Sequence, residues 1–301
     1  MLLANIIFGL NIPIAGMLMP EVIHPFGLTF FRLVGGMVLF WLASLFIKPE
    51  KVAPKDLLLL FLASLLSIIL NQYPFFLGLS LTSPIDSSIV VTTLPIVTML
   101  LAALILKEPI TQLKAIGVLV GASGALILVL QGTWDFSGQG NMIGNLIISI
   151  GVISFALYLT LFKALVSRYH PITIMKWMFL FATITGLPLS LPYIREINFA
   201  AFTNASWVSI GYVVVMATFF GYLLIPVGQK LLRPTTLSMY NYIQPIMATL
   251  VAVYIGSDTF GFLQALAALL VFSGVYIVTH SKSRAQLEAE RAAKMLNKPA
   301  D

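Results

Sequence analysis

Ten apolar segments, each about as long as a bilayer is thick, take up almost the whole chain. A membrane-spanning helix needs about 20 mostly apolar residues. Charges, prolines and polar clusters break the sequence into ten such stretches, at roughly 2–19, 26–47, 56–78, 84–106, 111–130, 141–162, 171–191, 206–229, 234–255 and 260–280. Only 9% of the 301 residues are charged, whereas a soluble domain carries roughly 25%. The sequence predicts an all-α membrane protein with ten transmembrane helices.

The basic residues fall mainly on one side of this predicted bundle. Thirteen of the 17 lysines and arginines lie in the loops after the second, fourth, sixth and eighth segments or in the tail 281–301, and a fourteenth, Lys114, lies on the same side at the start of the fifth segment. Loops rich in Lys and Arg stay in the cytoplasm. The pattern predicts a multi-pass protein of the plasma (bacterial inner) membrane with cytoplasmic N- and C-termini. The net charge of +6 then reflects topology, and no nucleic-acid partner is expected.

The chain is also an internal repeat. Residues 78–130 align without gaps with 228–280 at an offset of 150, and His24-Pro25 matches His170-Pro171 at an offset of 146. Each copy holds five helices, and an odd number makes the second copy enter the membrane from the opposite side. The predicted division is a first five-helix repeat at 1–130, an external loop at 131–140, a second inverted repeat at 141–280 and a cytoplasmic charged tail at 281–301.

Inverted repeats have a mechanical consequence. Two copies related by an axis in the membrane plane can exchange conformations, which converts a cavity open to one side into a cavity open to the other. The repeat therefore predicts transport by alternating access, with the substrate site near the midplane of the membrane.

Two stretches carry a family resemblance. "TLPIVTMLLAALILKEPITQLKAIGVLVGASGALILVL" (93–130) and "QPIMATLVAVYIGSDTFGFLQALAALLVFSGVYIV" (244–278) resemble the two halves of the EamA-type transporters of the drug/metabolite transporter superfamily. "FGLN" (8–11) and "FFRLVGG" (30–36) also fit. The resemblance implies ten helices in inverted halves, a central cavity and export of small metabolites, often amino acids. Asp258 departs from the glutamate usual at its position and keeps the carboxylate.

The ninth segment concentrates polar side chains in "SMYNYIQPIM" (238–247). On a helix Tyr240 and Gln244 share one face, with Asn241 at its edge. Such groups avoid lipid, so they either bond to neighbouring helices or line a cavity, and the cavity interpretation is favoured. Pro245 and its repeat partner Pro95 are candidate hinges; the alternative is that both are tolerated kinks.

Other candidate cavity residues occupy matched positions in the two halves. Asn11 aligns with Tyr158 at an offset of 147, and Gln72 aligns with Tyr222 at an offset of 150. Asn71, next to Gln72, is a further candidate. For each of these side chains, packing between helices remains an alternative to binding substrate.

Charged residues inside or near the segments have two interpretations each. Arg32 lies about two turns into the second segment, where it either contacts a substrate carboxylate or is held by carbonyls or headgroups, and the structural interpretation is favoured. Asp86 is the candidate for proton coupling, but "SPID" (83–86) is typical of a helix cap and favours a structural role. Glu108 and Asp258 are expected to begin the fifth and tenth helices.

Several function classes find no support in the residues. The chain has no cysteine and none of the motifs HExxH, GxSxG or a Walker loop, so no enzyme, cofactor or metal site is expected. No acidic residue lies at the centre of a predicted segment, which disfavours a proton-coupled multidrug exporter. The sequence predicts a secondary transporter, favouring export of amino acids or related zwitterions.

The partners follow from this prediction. They are a small-molecule substrate, the lipid bilayer and, as a candidate coupling ion, the proton; both a monomer and a homodimer remain open. The alternatives are a passive facilitator or exchanger of sugars, nucleobases or organic acids, a multidrug exporter, or a membrane enzyme or scaffold.

Overall fold

A computed structural model of the chain describes residues 1–19, 22–79, 81, 90–131, 142–254 and 261–282. Within these residues the helices follow the predicted segments in order. They are α1 (Leu2–Gly16), α2 (Pro25–Ala43), α3 (Pro54–Ser64, Leu65–Ile69 and Leu70–Leu79), α4 (Leu94–Ile105), α5 (Gln112–Gln131), α6 (Met142–Leu161), α7 (Pro171–Arg195), α8 (Asn204–Gly211, Tyr212–Phe220 and Gly221–Leu231), α9 (Pro234–Met239, Tyr240–Tyr242 and Ile243–Tyr254) and α10 (Phe262–Thr279).

Length and composition make many of these helices suitable for a membrane. In the described part of the chain, six helical stretches are long and apolar enough to cross one, namely Pro25–Phe46, Pro54–Gly78, Met142–Leu161, Pro171–Arg195, Asn204–Leu231 and Phe262–Thr279. Large apolar side chains such as Phe46, Leu104 and Tyr254 are exposed on the outside of the bundle. The prediction of an all-α membrane protein is confirmed.

Two helices begin with matched caps. At the starts of α2 and α7, the Nδ1 atoms of His24 and His170 accept hydrogen bonds from the backbone N–H of Phe26 and Ile172, at 3.2 and 3.3 Å. In both, proline takes a first-turn position, where its missing N–H costs nothing. In both His-Pro pairs that the offset of 146 matched, the histidine is therefore the N-cap and the proline lies in the first turn.

Four helices are interrupted at matched places. The middle segments of α3 and α8, Leu65–Ile69 and Tyr212–Phe220, are π-helical. Residues 90–92 are helical but a turn at Thr93 separates them from α4, and α9 contains the 3-10 turn Tyr240–Tyr242. Such breaks change the hydrogen bonding of the backbone and are frequent at functional sites. Pro95 and Pro245 follow the breaks in α4 and α9.

Helix packing is nearly unchanged when the two sets of five helices are exchanged. Three packed pairs consist of a helix and its counterpart: α2 with α7, α4 with α9, and α5 with α10. The other main contacts come in exchanged sets, with α3 on α6 and α8 on α1, and with α1 on α9 and α6 on α4.

Glycines allow the closest of these contacts. A Cβ atom built on Gly274 of α10 would lie 2.5 Å from the Gly121 nitrogen and 2.6 Å from the Gly117 oxygen of α5. Gly117 and Gly121 therefore pack inside the bundle, because only residues without a side chain let the two backbones meet.

Candidate functional site

Arg32 is a buried cation near the middle of α2. Arg32 is only 6% exposed. Its Nε donates a hydrogen bond of 3.1 Å to Thr218 Oγ1 in the π-helical segment of α8. No carboxylate of the described residues lies within 4.0 Å of it. The outer nitrogens of the guanidinium donate no hydrogen bond to another described residue, so they remain free for an anion.

The π-helical segment is what places Thr218 opposite Arg32. Its own hydroxyl donates to the carbonyl of Val213, five residues earlier, at 2.8 Å. A π-helical turn shifts the following side chains around the helix axis relative to an α-helix. Thr218 was not among the candidates from sequence, and a threonine in an apolar run carries no signal that could have identified it.

Gln72 and Tyr222 meet beside this arginine. Gln72 Nε2 donates to the Tyr222 hydroxyl at 2.7 Å, and both side chains are buried. Tyr222 lies one turn after Thr218, the residue to which Arg32 donates its hydrogen bond. The two residues that an offset of 150 aligned are thus hydrogen-bonded partners in the centre of the bundle.

Three buried polar atoms in this region have no hydrogen-bond partner among the residues that the structure describes. They are Gln72 Oε1, the Tyr158 hydroxyl and Asn11 Oδ1. Tyr158 belongs to the same buried cluster as Tyr222, and Asn11 follows by one turn Phe8, whose ring packs edge-on against Tyr222 at 5.9 Å. An unpaired buried polar group costs about 1–3 kcal/mol, so such atoms indicate where a ligand or water binds.

The polar residues of α9 form a separate cluster. Gln244 Nε2 donates to Asn5 Oδ1 of α1 at 2.9 Å and to Asn241 Oδ1 at 3.4 Å. Tyr240 is partly buried in the 3-10 turn. Hydrogen bonds between α1 and α9 therefore occupy part of the polar face of α9, which was expected to line a cavity. Asn5, an amide in an apolar segment, was overlooked although the sequence displays it.

Asn71 points away from Gln72. Its Nδ2 donates to the Gly151 carbonyl of α6 at 3.2 Å, and a Cβ on Gly151 would lie 2.9 Å from the Asn71 carbonyl. Successive side chains on a helix diverge by about 100°, which separates these neighbours. Asn71 ties α3 to α6.

Two acidic candidates, Asp86 and Asp258, lie outside the described residues. The third, Glu108, does not begin α5, which starts four residues later at Gln112; that expectation is wrong. Glu108 instead forms an ion pair of 2.8 Å with Lys114, whose side chain is fully buried. A buried cation needs a partner, which explains why the loop returns over the first turn of the helix.

Most of the described basic residues lie at one end of the bundle, which we call the basic end. There an acidic residue, Asp56, links α3 to the segment before α7. Asp56 Oδ2 accepts hydrogen bonds from Arg168 Nη1 at 3.0 Å and from the Tyr169 hydroxyl at 2.6 Å. Asp56 is buried although Arg168 is half exposed. The bond to Asp56 raises the pKa of Tyr169. We call these three residues the basic-end latch.

Lys163 makes a second link at the basic end. Its Nζ donates to the carbonyls of Gln229 and Leu232, near the end of α8, where backbone carbonyls lack helical partners. The pKa of Lys163 lies below its usual value, mainly because the side chain is buried. The nearby charge of Glu108 opposes this decrease, and that of Arg233 adds to it.

The opposite end is held by a matching set of contacts. The Tyr73 hydroxyl donates to the Gly186 carbonyl at 2.9 Å and lies 2.6 Å from Ser190 Oγ. Ser190 in turn donates to the Phe26 carbonyl at 3.0 Å. We call the contacts among Tyr73, Gly186, Ser190 and Phe26 the opposite-end latch. Like the basic-end latch, it joins the first five helices to the second five, so the buried centre with Arg32 lies between two sets of contacts that link the halves.

Fold and site together define a multi-pass helical membrane protein of the transporter class. The model of the EamA-like transporter family matches residues 1–130 and 142–280, and the chain belongs to that family. In the described residues no group of three or more His, Cys, Asp and Glu side chains could hold a metal ion.

Named relatives carry the same description. The chain is 26% identical over 207 residues to "Uncharacterized transporter YyaM" of Bacillus subtilis, covering 67% of this chain and 66% of that one. It is 24% identical over 276 residues to "Uncharacterized transporter YetK" of the same organism, covering 90% and 83%. A solved crystal structure matches with a TM-score of 0.73 at 17% identity over 96% of both chains, which shows the shared fold.

Proposed function

We propose that this membrane transporter moves small zwitterionic metabolites, with amino acids the favoured class, by alternating access. The observation that carries the proposal is Arg32, a buried guanidinium with a hydroxyl and no carboxylate beside it among the described residues. Guanidinium binds carboxylate through two parallel hydrogen bonds. A substrate carboxylate would therefore supply the missing counter-charge.

Acceptor atoms near Arg32 suit the other end of a zwitterion. Gln72 Oε1 and Asn11 Oδ1 are buried oxygens to which no described residue donates, and an ammonium group carries three donors and no acceptor. The Tyr222 hydroxyl accepts from Gln72 and keeps its own proton to donate. An α-amino acid bound with its carboxylate at Arg32 and its ammonium at Gln72 would satisfy both sets of atoms.

A second candidate substrate class is small organic acids. The same free cation favours them, because a monocarboxylate would neutralise Arg32 without needing an ammonium site. Sugars and nucleobases carry no charge to compensate Arg32 and are less well matched.

The two latches give alternating access a concrete form. Opening one end requires that either Asp56 leaves Arg168 and Tyr169, or Tyr73 leaves Ser190. Exchange of conformation between the two sets of five helices would open one end as the other closes. The interruptions before Pro95 and Pro245 are where we propose that α4 and α9 bend.

Direction and energy coupling are further parts of the proposal. The bias of Lys and Arg toward the basic end supports a cytoplasmic location for that end and for both termini, in a bacterial plasma membrane. Export follows from the family resemblance. We propose the proton as coupling ion; a facilitator without coupling is the alternative.

The test is counterflow in proteoliposomes loaded with one unlabelled solute class at a time. Amino acids should exchange with their labelled forms, whereas sugars and nucleobases should not. Exchange of a sugar or nucleobase alone would contradict the zwitterion proposal, and exchange of organic acids alone would favour the second candidate. Accumulation that follows an imposed pH gradient would separate proton coupling from facilitation.

A further inference from the structure

The outer surface of α2 and α7 carries an apolar crevice at the basic end. Its volume is about 430 Å³, and its lining comes from Met37, Val38, Trp41, Leu42, Leu45 and Leu180. Val38, Leu42 and Leu45 are exposed. The crevice lies on the side of the helices that faces away from the buried centre with Arg32, so it is separate from the transport site.

A cation lies at the edge of this crevice. Lys176 Nζ is 5.1 Å from the centre of the Trp41 ring, a distance at which an ammonium is attracted to the face of an indole. Trp177 packs edge-on against Trp41 at 5.6 Å. Lys176 is within 4.0 Å of no carboxylate among the described residues. Its charge is therefore available to an anion.

Depth in the membrane follows from helix ends. Lys176 lies one turn into α7, which starts at Pro171, and α2 gives way after Ala43 to the 3-10 turn Ser44–Phe46. Tryptophan and lysine at this depth are typical of the headgroup region. The crevice extends from there towards the bilayer core, along Met37 and Val38.

We propose that this crevice binds one anionic phospholipid, with the phosphate at Lys176 and an acyl chain against Val38, Leu42 and Leu45. Charge complementarity favours an anionic over a zwitterionic lipid, because Lys176 has no counter-ion within the described part of the chain and Lys48 and Lys51 follow α2 at the same end. Basic pockets between membrane helices bind such headgroups. A second copy of this chain would leave the cation without an anion.

Tryptophan fluorescence tests the proposal without any need for transport. Trp134→Phe and Trp207→Phe leave Trp41 and Trp177 as reporters at the crevice. This protein is reconstituted in phosphatidylcholine vesicles that contain brominated-acyl phosphatidylglycerol or, separately, brominated-acyl phosphatidylcholine. Bromine quenches the indoles only when the chain lies against them.

The expected result is a preference for the anionic lipid. One lysine near a membrane surface contributes an attraction that corresponds to about a fivefold difference in association. Brominated phosphatidylglycerol should therefore reach half-maximal quenching at about one fifth of the mole fraction that brominated phosphatidylcholine needs. Lys176→Gln should abolish the preference and Lys176→Arg should keep it. Lys230→Gln, which removes an exposed lysine from the end of α8, is the matched control and should change nothing.

Two results would overturn the proposal. One is equal quenching by both lipids in the parent protein, which would mean that the crevice holds ordinary bilayer lipid. The other is quenching that falls as the protein-to-lipid ratio rises, which would mean that a second copy covers the crevice.

Discussion

The Gln72 side chain donates a hydrogen bond of 2.7 Å to the Tyr222 hydroxyl across 150 residues of sequence, the same offset at which the two halves of the chain align. Each residue follows the π-helical segment of its own helix. Residues at matched positions of two inverted copies can touch only close to the axis that relates the copies. The pair therefore marks that axis, and Arg32 and Thr218 lie beside it.

We predict that Gln72 and Tyr222 act as a unit. Gln72→Leu and Tyr222→Phe should each weaken substrate binding, and the double variant should be less impaired than the sum, because a buried hydrogen bond is lost only once. A coupling of about 0.5–1.5 kcal/mol is expected. Apparent affinities from counterflow for the parent, the single and the double variants measure it. Additive effects would show that the two side chains act independently.

Arg32→Gln should reduce transport at least tenfold. Hydrogen bonds to charged groups contribute about 1.5–3 kcal/mol, and Arg32→Lys should restore only part of the loss because an ammonium lacks the planar fork. Initial rates at equal protein density check this. Arg195→Gln is the control, since Arg195 is exposed at the opposite end and should transport normally. Full activity of Arg32→Gln would remove this residue from the site.

Asp56→Asn should loosen the basic-end latch. The amide loses the charge that holds Arg168 and the strong acceptor that holds Tyr169, so the basic end should open more often. Because the chain has no cysteine, a single Thr160→Cys reports this opening: Thr160 is buried two residues beyond Tyr158. Its labelling by a polar maleimide should rise severalfold. Glu196→Gln, at the opposite end, should leave the labelling rate unchanged; an equal rise there would indicate general loosening.

Stability should fall with acid partly through His24. Burial lowers the pKa of His24, and Glu196 raises it in part, so the unfolded chain binds the proton more readily than the folded one. The contribution of the cap is present above the unfolded pKa of about 6.5 and is lost as the pH falls through the lower folded value. A cap contributes about 1 kcal/mol or less at an exposed site. His24→Asn keeps a cap without titrating, and its unfolding temperature should depend less on pH between 8 and 5.

Gln244→Leu should affect stability more than substrate affinity. Gln244 bonds to Asn5 across α1 and α9, and leucine would leave the Asn5 amide oxygen buried without its donor, at a cost of about 1–3 kcal/mol. A lower unfolding temperature with an unchanged counterflow affinity is expected. A changed affinity at normal stability would instead assign the polar face of α9 to the substrate site.

The sequence predicts the helical class, the order of the helices and the equivalence of Gln72 and Tyr222, because hydropathy and a gapless offset are local properties of the chain. It does not predict that these two residues touch, since alignment gives equivalence and contact depends on where the axis lies. Asn71 and Gln72 are equally polar neighbours, and only packing separates the residue that bonds to Gly151 from the one in the centre.

Contacts over long separations were the least predictable. Asp56 looks like an ordinary acidic residue in a first helical turn, where the helix dipole favours it, yet its partners come from residues more than 110 positions away. Glu108 was expected to begin a helix for the same reason. It pairs with a lysine that the tertiary fold buries, and burial of a charge is not visible in a loop sequence.

The most direct test is whether Arg32 recognises a carboxylate. Counterflow of a transported amino acid would be competed with the same amino acid and with its carboxamide, in the parent and in Arg32→Gln. The parent should prefer the carboxylate at least tenfold, and the variant should not discriminate, whatever its overall rate. Equal competition by both compounds in the parent, or an undiminished preference in the variant, would contradict a carboxylate site at Arg32.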